Sequence, residues 1–253
     1  MNLLSLFVAF NCGILMLFQQ QGSATAIRVS DTLPADSLSS ESSLPSKTRT
    51  AVFALGSFWH SEAVFGCLDG VLRTTAGYAG GSKLNPEYRN IGDQAEAVEV
   101  EFNPEIIRYE QLLDVFWTSH DPTQVFGQGP DVGSQYRSAI YFQGQEQENL
   151  ALLSKTREEA KLSEGQLTTE IKPIGIFFPA ESEHQKFELR RNSELMQLLG
   201  SAGIGEDLSS SRLGTRLNAY AAGMCSISRK KEFDHLLENF LKWRSNLREI
   251  AES

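Results

Sequence analysis

Residues 51–65, AVFALGSFWHSEAVF, run from a short apolar stretch through a glycine to a serine, two large aromatics and a carboxylate. The apolar run 50–55 reads as a buried strand ending at Gly56, and a helix is predicted from Ser57 to about Cys67. Ser57 at that junction has the placement of a nucleophile or of an N-cap. Phe58 and Trp59 beside it would supply an apolar wall, and Glu62 adds a carboxylate. Other polar clusters carry Tyr78 in AGYAGG, Glu96 in DQAEAVEV, and Asp131 and Tyr136 in GPDVGSQYRSAIY. All fall at strand ends or in loops, where a rigid sheet can aim several side chains at one point. Taken singly, each also has an ordinary reading: a strand tyrosine packs in a core, and a glutamate on an alternating strand is solvated. Ser57 and His60 share a helix face, but neither an orienting carboxylate nor an oxyanion signature accompanies them, which disfavours a hydrolase triad.

The elements that must position these residues follow from periodicity. A strand is predicted over 71–81, and AEAVEVEF (95–102) alternates as a half-exposed strand. A helix opens at Pro104 and runs to about His120, followed by a long polar loop. YRSAIYF (136–142) is a strand, and residues 145–163 form an amphipathic helix. TTEIKPIG (168–175) reads as another strand and AESEHQKFELRR (180–191) as a helix. Beyond Gly200 the chain reads as loop as far as RLNAYAAGMCS, and a charged helix over roughly 229–248 closes it. The leading order β-α-β-β-α-β is that of a ferredoxin-like, split-βαβ fold of the α/β class.

The 253 residues carry a formal net charge of −9, which argues against nucleic acid or an anionic membrane surface as partner. The start, MNLLSLFVAFNCGILMLF, is apolar and is followed by Ala24-Thr25-Ala26, a small-x-small cleavage signal. Residues 1–26 are therefore expected to be a secretory signal peptide cleaved after Ala26, with no stable membrane span left afterwards. An uncleaved anchor is the alternative, although the run is short of the ~20 residues a bilayer requires. Residues 27–49 read as a flexible Ser-rich linker, 50–200 as the folded domain, and 201–253 as a tail with Cys225 and the charged helix. The expected location is the secretory pathway or outside the cell. Cleavage removes Cys12 and leaves Cys67 and Cys225, which have no metal-ligand spacing. Cys67 is expected to be a buried core cysteine; Cys225 is expected to be packed, disulfide-bonded or a free thiol on the tail.

The segments GSFW, AGYAGG, NPEYR, AEAV, HDPTQ and GSQYRSAIYF, in that order from about Thr50 to Arg190, resemble the peptide-methionine sulfoxide reductase A family. The resemblance implies an α/β sandwich with a ferredoxin-like core. The implied activity is reduction of methionine-S-sulfoxide, in proteins or free, with no bound cofactor and with thioredoxin or another dithiol as reductant. By position, Ser57 stands where the family has its nucleophilic cysteine. Phe58 and Trp59 match the wall that receives the substrate methyl group. Glu96 matches the carboxyl that protonates the sulfoxide oxygen, Tyr78 and Tyr136 the hydroxyls that hydrogen-bond it, and Asp131 an acidic loop residue. Cys225 corresponds to a recycling thiol found on the tail of some members.

Ser57 is the main departure. The family chemistry needs a sulfur that takes up oxygen as a sulfenic acid, and a serine doing the same would end as a peroxide. Gln94 replaces the family's histidine before AEA, His60 replaces the residue that follows Trp in the motif, and AESEHQKFEL only partly resembles AEDYHQxYL. Three functions stay open on these residues: a reductase, a module that binds oxidised methionine without reducing it, and a thiol-redox or scaffold role through Cys225.

Overall fold

The computed structural model describes residues 48–125, 127–162, 166–201 and 208–252. The readings of residues 1–26 as leader and of most of 27–49 as linker lie outside them. Within the described chain β1 already begins at Arg49 (β1, Arg49–Leu55). It is followed by α1 (Phe58–Val64), β2 (Val71–Ala79), β3 (Ala95–Phe102) and α2 (Tyr109–Thr118). A two-stranded hairpin, β4 (Gly127–Gln128) and β5 (Asp131–Val132), sits inside the stretch expected to be loop. Next come β6 (Ser138–Phe142), α3 (Gly144–Glu159), β7 (Glu170–Pro173) and β8 (Phe178–Pro179). Helices α4 (Phe187–Arg191), α5 (Ser193–Ser201), α6 (Arg212–Ala221) and α7 (Ile227–Glu252) complete the order.

The sheet order is β7-β6-β1-β3-β2-β8. Its four inner strands pair antiparallel, with β3 inserted between β1 and β2. That is the split-βαβ arrangement expected of the ferredoxin-like class. β7 adds parallel to β6, and β8 extends the opposite edge. β1 reads as an unbroken apolar run because both of its faces are covered. Phe53 and Leu55 join a core with Val98, Val100 and Phe102 against Leu112, Leu113 and Phe116 of α2. Val52 and Ala54 face a smaller cluster with Ala97, Ala139 and Tyr141.

Several local expectations are corrected. β3 is not half-exposed: Glu96 is buried and only Glu99 and Glu101 reach partial solvent. α2 starts at Tyr109 rather than Pro104, because Asn103 Oδ1 accepts the Glu105 N–H in a preceding turn. α3 buries Gln147, Ala151 and Ser154 and leaves Leu152 and Leu153 exposed, the reverse of a simple apolar stripe. Polar partners explain it: Trp117 Nε1 donates to Ser154 Oγ at 2.9 Å and Gln147 Nε2 to the Thr50 carbonyl at 2.8 Å.

The helix expected over 180–191 is broken. A 3₁₀ turn (Ser182–His184) precedes Lys186, which takes φ +53°, and α4 starts after it. The stretch read as loop before RLNAYAAGMCS (216–226) already holds the first turn of α6, which continues into that segment and whose Ser211 cap accepts the Gly214 N–H at 2.9 Å. Leu217 of α6 packs with Leu189, Leu195, Leu199 and Leu208, so the chain past Gly200 shares a core with the segment before it. Among the described residues no helix is long and apolar enough to cross a membrane.

Candidate active site

β1 delivers the chain to Gly56 at φ +100°, where a Cβ would come within 2.9 Å of Gln128 Cγ. Only glycine combines that backbone with that approach. Ser57 follows as the N-cap residue of α1 and is partly exposed. Its carbonyl accepts the Ser61 N–H at 3.0 Å and the Ser61 hydroxyl at 2.9 Å. The Ser57 hydroxyl makes no capping bond, which corrects the N-cap expectation for the side chain. Instead the Phe58 N–H donates to Glu96 Oε2 at 2.9 Å, so a carboxyl from β3 caps the helix. The helix dipole favours negative charge at this point.

Glu96 lies opposite Tyr78 in the β2–β3 ladder, which puts both side chains on one face of the sheet. At 3 % exposure its carboxyl is pushed up to about 7 by burial; the Phe58 N–H pulls it down and the Asp131 charge adds to the rise. A carboxyl at that value is half protonated near neutral pH and can donate a proton. The Tyr78 hydroxyl donates to Glu181 Oε2 at 2.7 Å, and Glu181 Oε1 accepts the Tyr88 N–H at 2.9 Å. Burial, with Glu181 adding to it, raises the Tyr78 phenol well above its ordinary value. Burial is also the first cause of the raised Tyr136 and Tyr88 phenols, and the charges of Glu96 and Asp131 contribute to both.

Around this polar group stands an aromatic wall. Phe58 is fully buried and packs at 5.6 Å from Tyr78 and 6.1 Å from Tyr88, centroid to centroid. Trp59 stacks on Phe187 at 4.0 Å and lies 5.6 Å from Tyr88. Trp59 Nε1 donates to His184 Nδ1 at 3.1 Å, which fixes the indole, and His184 packs against Tyr88 at 4.3 Å.

Phe58, Trp59, Tyr78 and Glu96 thus gather at the mouth of α1 beside Ser57; the Asp131 charge acts on Glu96, and the charges of Glu96 and Asp131 act on Tyr136. Three other residues do not join them. Glu62 is fully buried in an ion pair with Lys186, whose Nζ also donates to the Thr74 carbonyl at 2.7 Å. The Lys186 N–H donates to Glu62 Oε2 at 2.7 Å, so this carboxylate anchors the left-handed turn before α4. Burial raises the Glu62 carboxyl and lowers the Lys186 ammonium, each opposed by the partner's charge. His60 is exposed and, among the described residues, has no hydrogen bond to Ser57. Cys225 is bonded to Cys67, the disulfide alternative among its expected states; this corrects the free tail thiol, and Cys67 is buried as expected but paired.

Gln94 ties the glycine-rich turn after β2 to the start of β3. Its Oε1 accepts the Gly81 N–H at 2.8 Å and its Nε2 donates to the Lys83 carbonyl at 2.8 Å. Tyr88, Glu181 and His184 were missed as site residues. Their signal was present in NPEYR and AESEHQ, but reading the first as loop and the second as a plain helix gave no link from Glu181 and His184 to Tyr78 and Trp59, the partners they bond across the fold.

The fold and the site together define a class: a ferredoxin-like sheet holding a protonatable buried carboxyl against an aromatic wall, suited to an apolar group that bears a basic oxygen. Comparison with known proteins gives the family. Residues 49–208 match the family model for peptide methionine sulfoxide reductase. The chain is 57% identical over 195 residues to peptide methionine sulfoxide reductase A5 of Oryza sativa subsp. japonica, covering 77% of this chain and 76% of that protein. It is 54% identical over 194 residues to the protein of the same name from Arabidopsis thaliana, with the same coverage of 77% and 76%. Among solved structures it resembles methionine sulfoxide reductase A of Corynebacterium diphtheriae at TM-score 0.55 and 36% identity, over 57% of this chain and 75% of that one. Mxr1 from Saccharomyces cerevisiae in reduced form also matches at TM-score 0.55, with 30% identity over 59% of this chain and 88% of that one. The chain belongs to the peptide methionine sulfoxide reductase A family.

Proposed function

We propose that this chain reduces methionine-S-sulfoxide in oxidised proteins, with an external dithiol supplying the sulfur that residue 57 lacks. The observation that carries the reading is Glu96: buried, bonded to the first N–H of α1, and half protonated near neutral pH. The substrate methyl group packs on Phe58 and Trp59. Its oxygen takes the Glu96 proton, and Tyr136 donates a hydrogen bond to the same atom. Protonation makes the sulfur electrophilic and lets the oxygen leave as water.

Ser57 occupies the family's nucleophile position without a nucleophile suited to the step. Oxygen transfer to its hydroxyl would create a weak O–O bond, and no base corrects an unstable product. A thiolate of the reductant attacks the sulfoxide sulfur instead. The second thiol of the reductant then displaces the sulfide, so that sulfoxide and dithiol become sulfide, disulfide and water. Thioredoxin-type proteins are the class of reductant that fits this demand. We further place the protein in the secretory pathway, with cleavage after Ala26 and residues 27–49 as linker. The composition of the N-terminal residues supports that placement, and the intact mass of the exported chain tests it.

The activity test is turnover of a dabsylated methionine-S-sulfoxide with dithiothreitol, alongside substrate binding, for wild type, Ser57→Cys and Glu96→Gln. Turnover by wild type that Glu96→Gln abolishes supports the reading. Binding without wild-type turnover, with turnover restored in Ser57→Cys, replaces it by recognition of oxidised methionine, the reading that Ser57 itself favours. Absence of binding in every form removes the pocket assignment.

A further inference from the structure

The hairpin that carries Asp131 has little to hold itself in place. Its strands β4 and β5 are two residues each, and Val132 is 77 % exposed. A two-stranded ribbon of that size has no apolar face of its own and is not stable alone. Gly129 at φ +55° and Pro130, whose ring fixes φ at about −65°, let the chain reverse in two residues. That turn closes the hairpin but does not fix it against the sheet.

Gln128 supplies the anchor. Its Oε1 accepts the Asp121 N–H at 2.9 Å and its Nε2 donates to the Asp121 carbonyl at 2.9 Å. Its stem lies on Gly56, where a Cβ would meet Gln128 Cγ at 2.9 Å and Gln128 Cβ at 3.0 Å. Asp121 is itself held, because its Oδ1 accepts the Thr123 N–H at 2.9 Å and the Thr123 hydroxyl at 2.7 Å. The Thr168 N–H donates to the Pro122 carbonyl at 2.8 Å and ties this loop to the chain before β7. Gln124 repeats the pattern at the hairpin tip, where its Oε1 accepts the Gly129 N–H at 2.8 Å.

Register carries the anchor to the site. Gln128 lies opposite Asp131 in the β4–β5 ladder, so fixing one fixes the backbone of the other. Gly56 comes two residues before Phe58, whose N–H bonds Glu96. The hairpin is therefore pinned to the same turn of chain that meets Glu96. Around Glu96 stand Tyr78 on β2, Tyr88 in the loop after it, Tyr136 before β6, and Asp131 on β5. The three phenols are raised and stay neutral near pH 7, so among the described residues Asp131 brings the negative charge that acts on this carboxyl.

We propose that Gln128 is a positioning residue: its amide clamps the β4–β5 hairpin to the Asp121 backbone and so holds the Asp131 carboxylate toward Glu96. With Glu96 as the proton donor proposed above, on which this role rests, Asp131 opposes a second charge nearby and keeps the proton on Glu96 until the sulfoxide oxygen takes it. A released hairpin moves Asp131 into water, which screens the same charge. Gln128 acts through Asp131 alone.

The test is a carbon NMR titration of the Glu96 carboxyl in the full chain with its disulfide intact, the signal being identified by its loss in Glu96→Gln. Wild type, Gln128→Met, Asp131→Asn and the double variant are compared, each with an unchanged melt. Methionine keeps the stem on Gly56 and removes both amide bonds. The midpoint is expected at about 7 in wild type, and lower by about 0.5 or more in Gln128→Met and in Asp131→Asn. Gln128→Met should add nothing in the Asp131→Asn background, because that charge is its only route to Glu96. Deuterium exchange at the Asp121 N–H should be slow in wild type and about tenfold faster in Gln128→Met. A wild-type midpoint retained in Gln128→Met overturns the proposal. So does an equal shift in both backgrounds, or rapid exchange at Asp121 in wild type. A wild-type midpoint near 4.5 overturns instead the donor reading of Glu96, so the two failures are told apart.

Discussion

Glu96→Gln isolates the proton that the proposed chemistry requires. Burial lifts the Glu96 carboxyl from an ordinary value of 4.5 to about 7. A group raised on folding adds stability that is fully present below its unfolded pKa and is lost as pH rises through the folded one. The difference of about 2.5, at about 1.4 kcal/mol per pKa unit, makes that loss about 3 kcal/mol between pH 4.5 and 8. His120 works in the opposite sense. Burial lowers it from 6.5 to about 4, while its ring bonds the Phe116 carbonyl and the Ser138 hydroxyl. Its neutral fold therefore gains stability as pH rises from about 4 to 6.5.

Wild type alone should consequently look nearly flat from pH 4.5 to 6.5 and fall only above that. The difference between wild type and Glu96→Gln cancels His120, and glutamine keeps an oxygen for the Phe58 N–H. Urea unfolding of both forms at pH 5, 6, 7 and 8, with the disulfide intact, measures it. Glu96→Gln should gain about 3 kcal/mol on wild type across the series. A gap that stays constant with pH would mean that Glu96 is ionised throughout in the folded protein, and the proton-donor role would fall with it.

The remaining predictions concern the supports of the site. His184→Ala removes the acceptor of the Trp59 indole N–H and should weaken methionine sulfoxide binding by about two- to tenfold, the size of one hydrogen bond, measured by calorimetry. Glu62→Gln leaves the Lys186 ammonium buried without its counter-charge and should cost about 3–5 kcal/mol in urea unfolding. Replacing both members by methionine should cost clearly less, because no charge then stays buried. Cys225→Ser opens a loop of 158 residues and should lower stability by about 2–5 kcal/mol, read from the same denaturation curves.

Much of the fold was legible because local pattern and tertiary packing agree. The apolar run before Gly56 became the doubly covered central strand, and the β-α-β-β-α-β order became the inner four-strand sheet. Agreement failed where polar partners replaced apolar ones. α3 turns Gln147 and Ser154 inward because the Thr50 carbonyl and the Trp117 indole await them. The break at Lys186 has no local signal; a buried carboxylate 124 residues earlier holds that turn.

By itself the sequence determined the order of elements along the chain and the aromatic and acidic residue types of the pocket. These are properties of composition and spacing, which a chain carries whether or not it is folded. Only the tertiary structure decided that Glu96 rather than the Ser57 hydroxyl caps α1, that Glu62 leaves the pocket for Lys186, and that Cys225 is bonded to Cys67. Protonation and bonding partners depend on burial and on distances across strands far apart in sequence, and neither exists before the sheet closes.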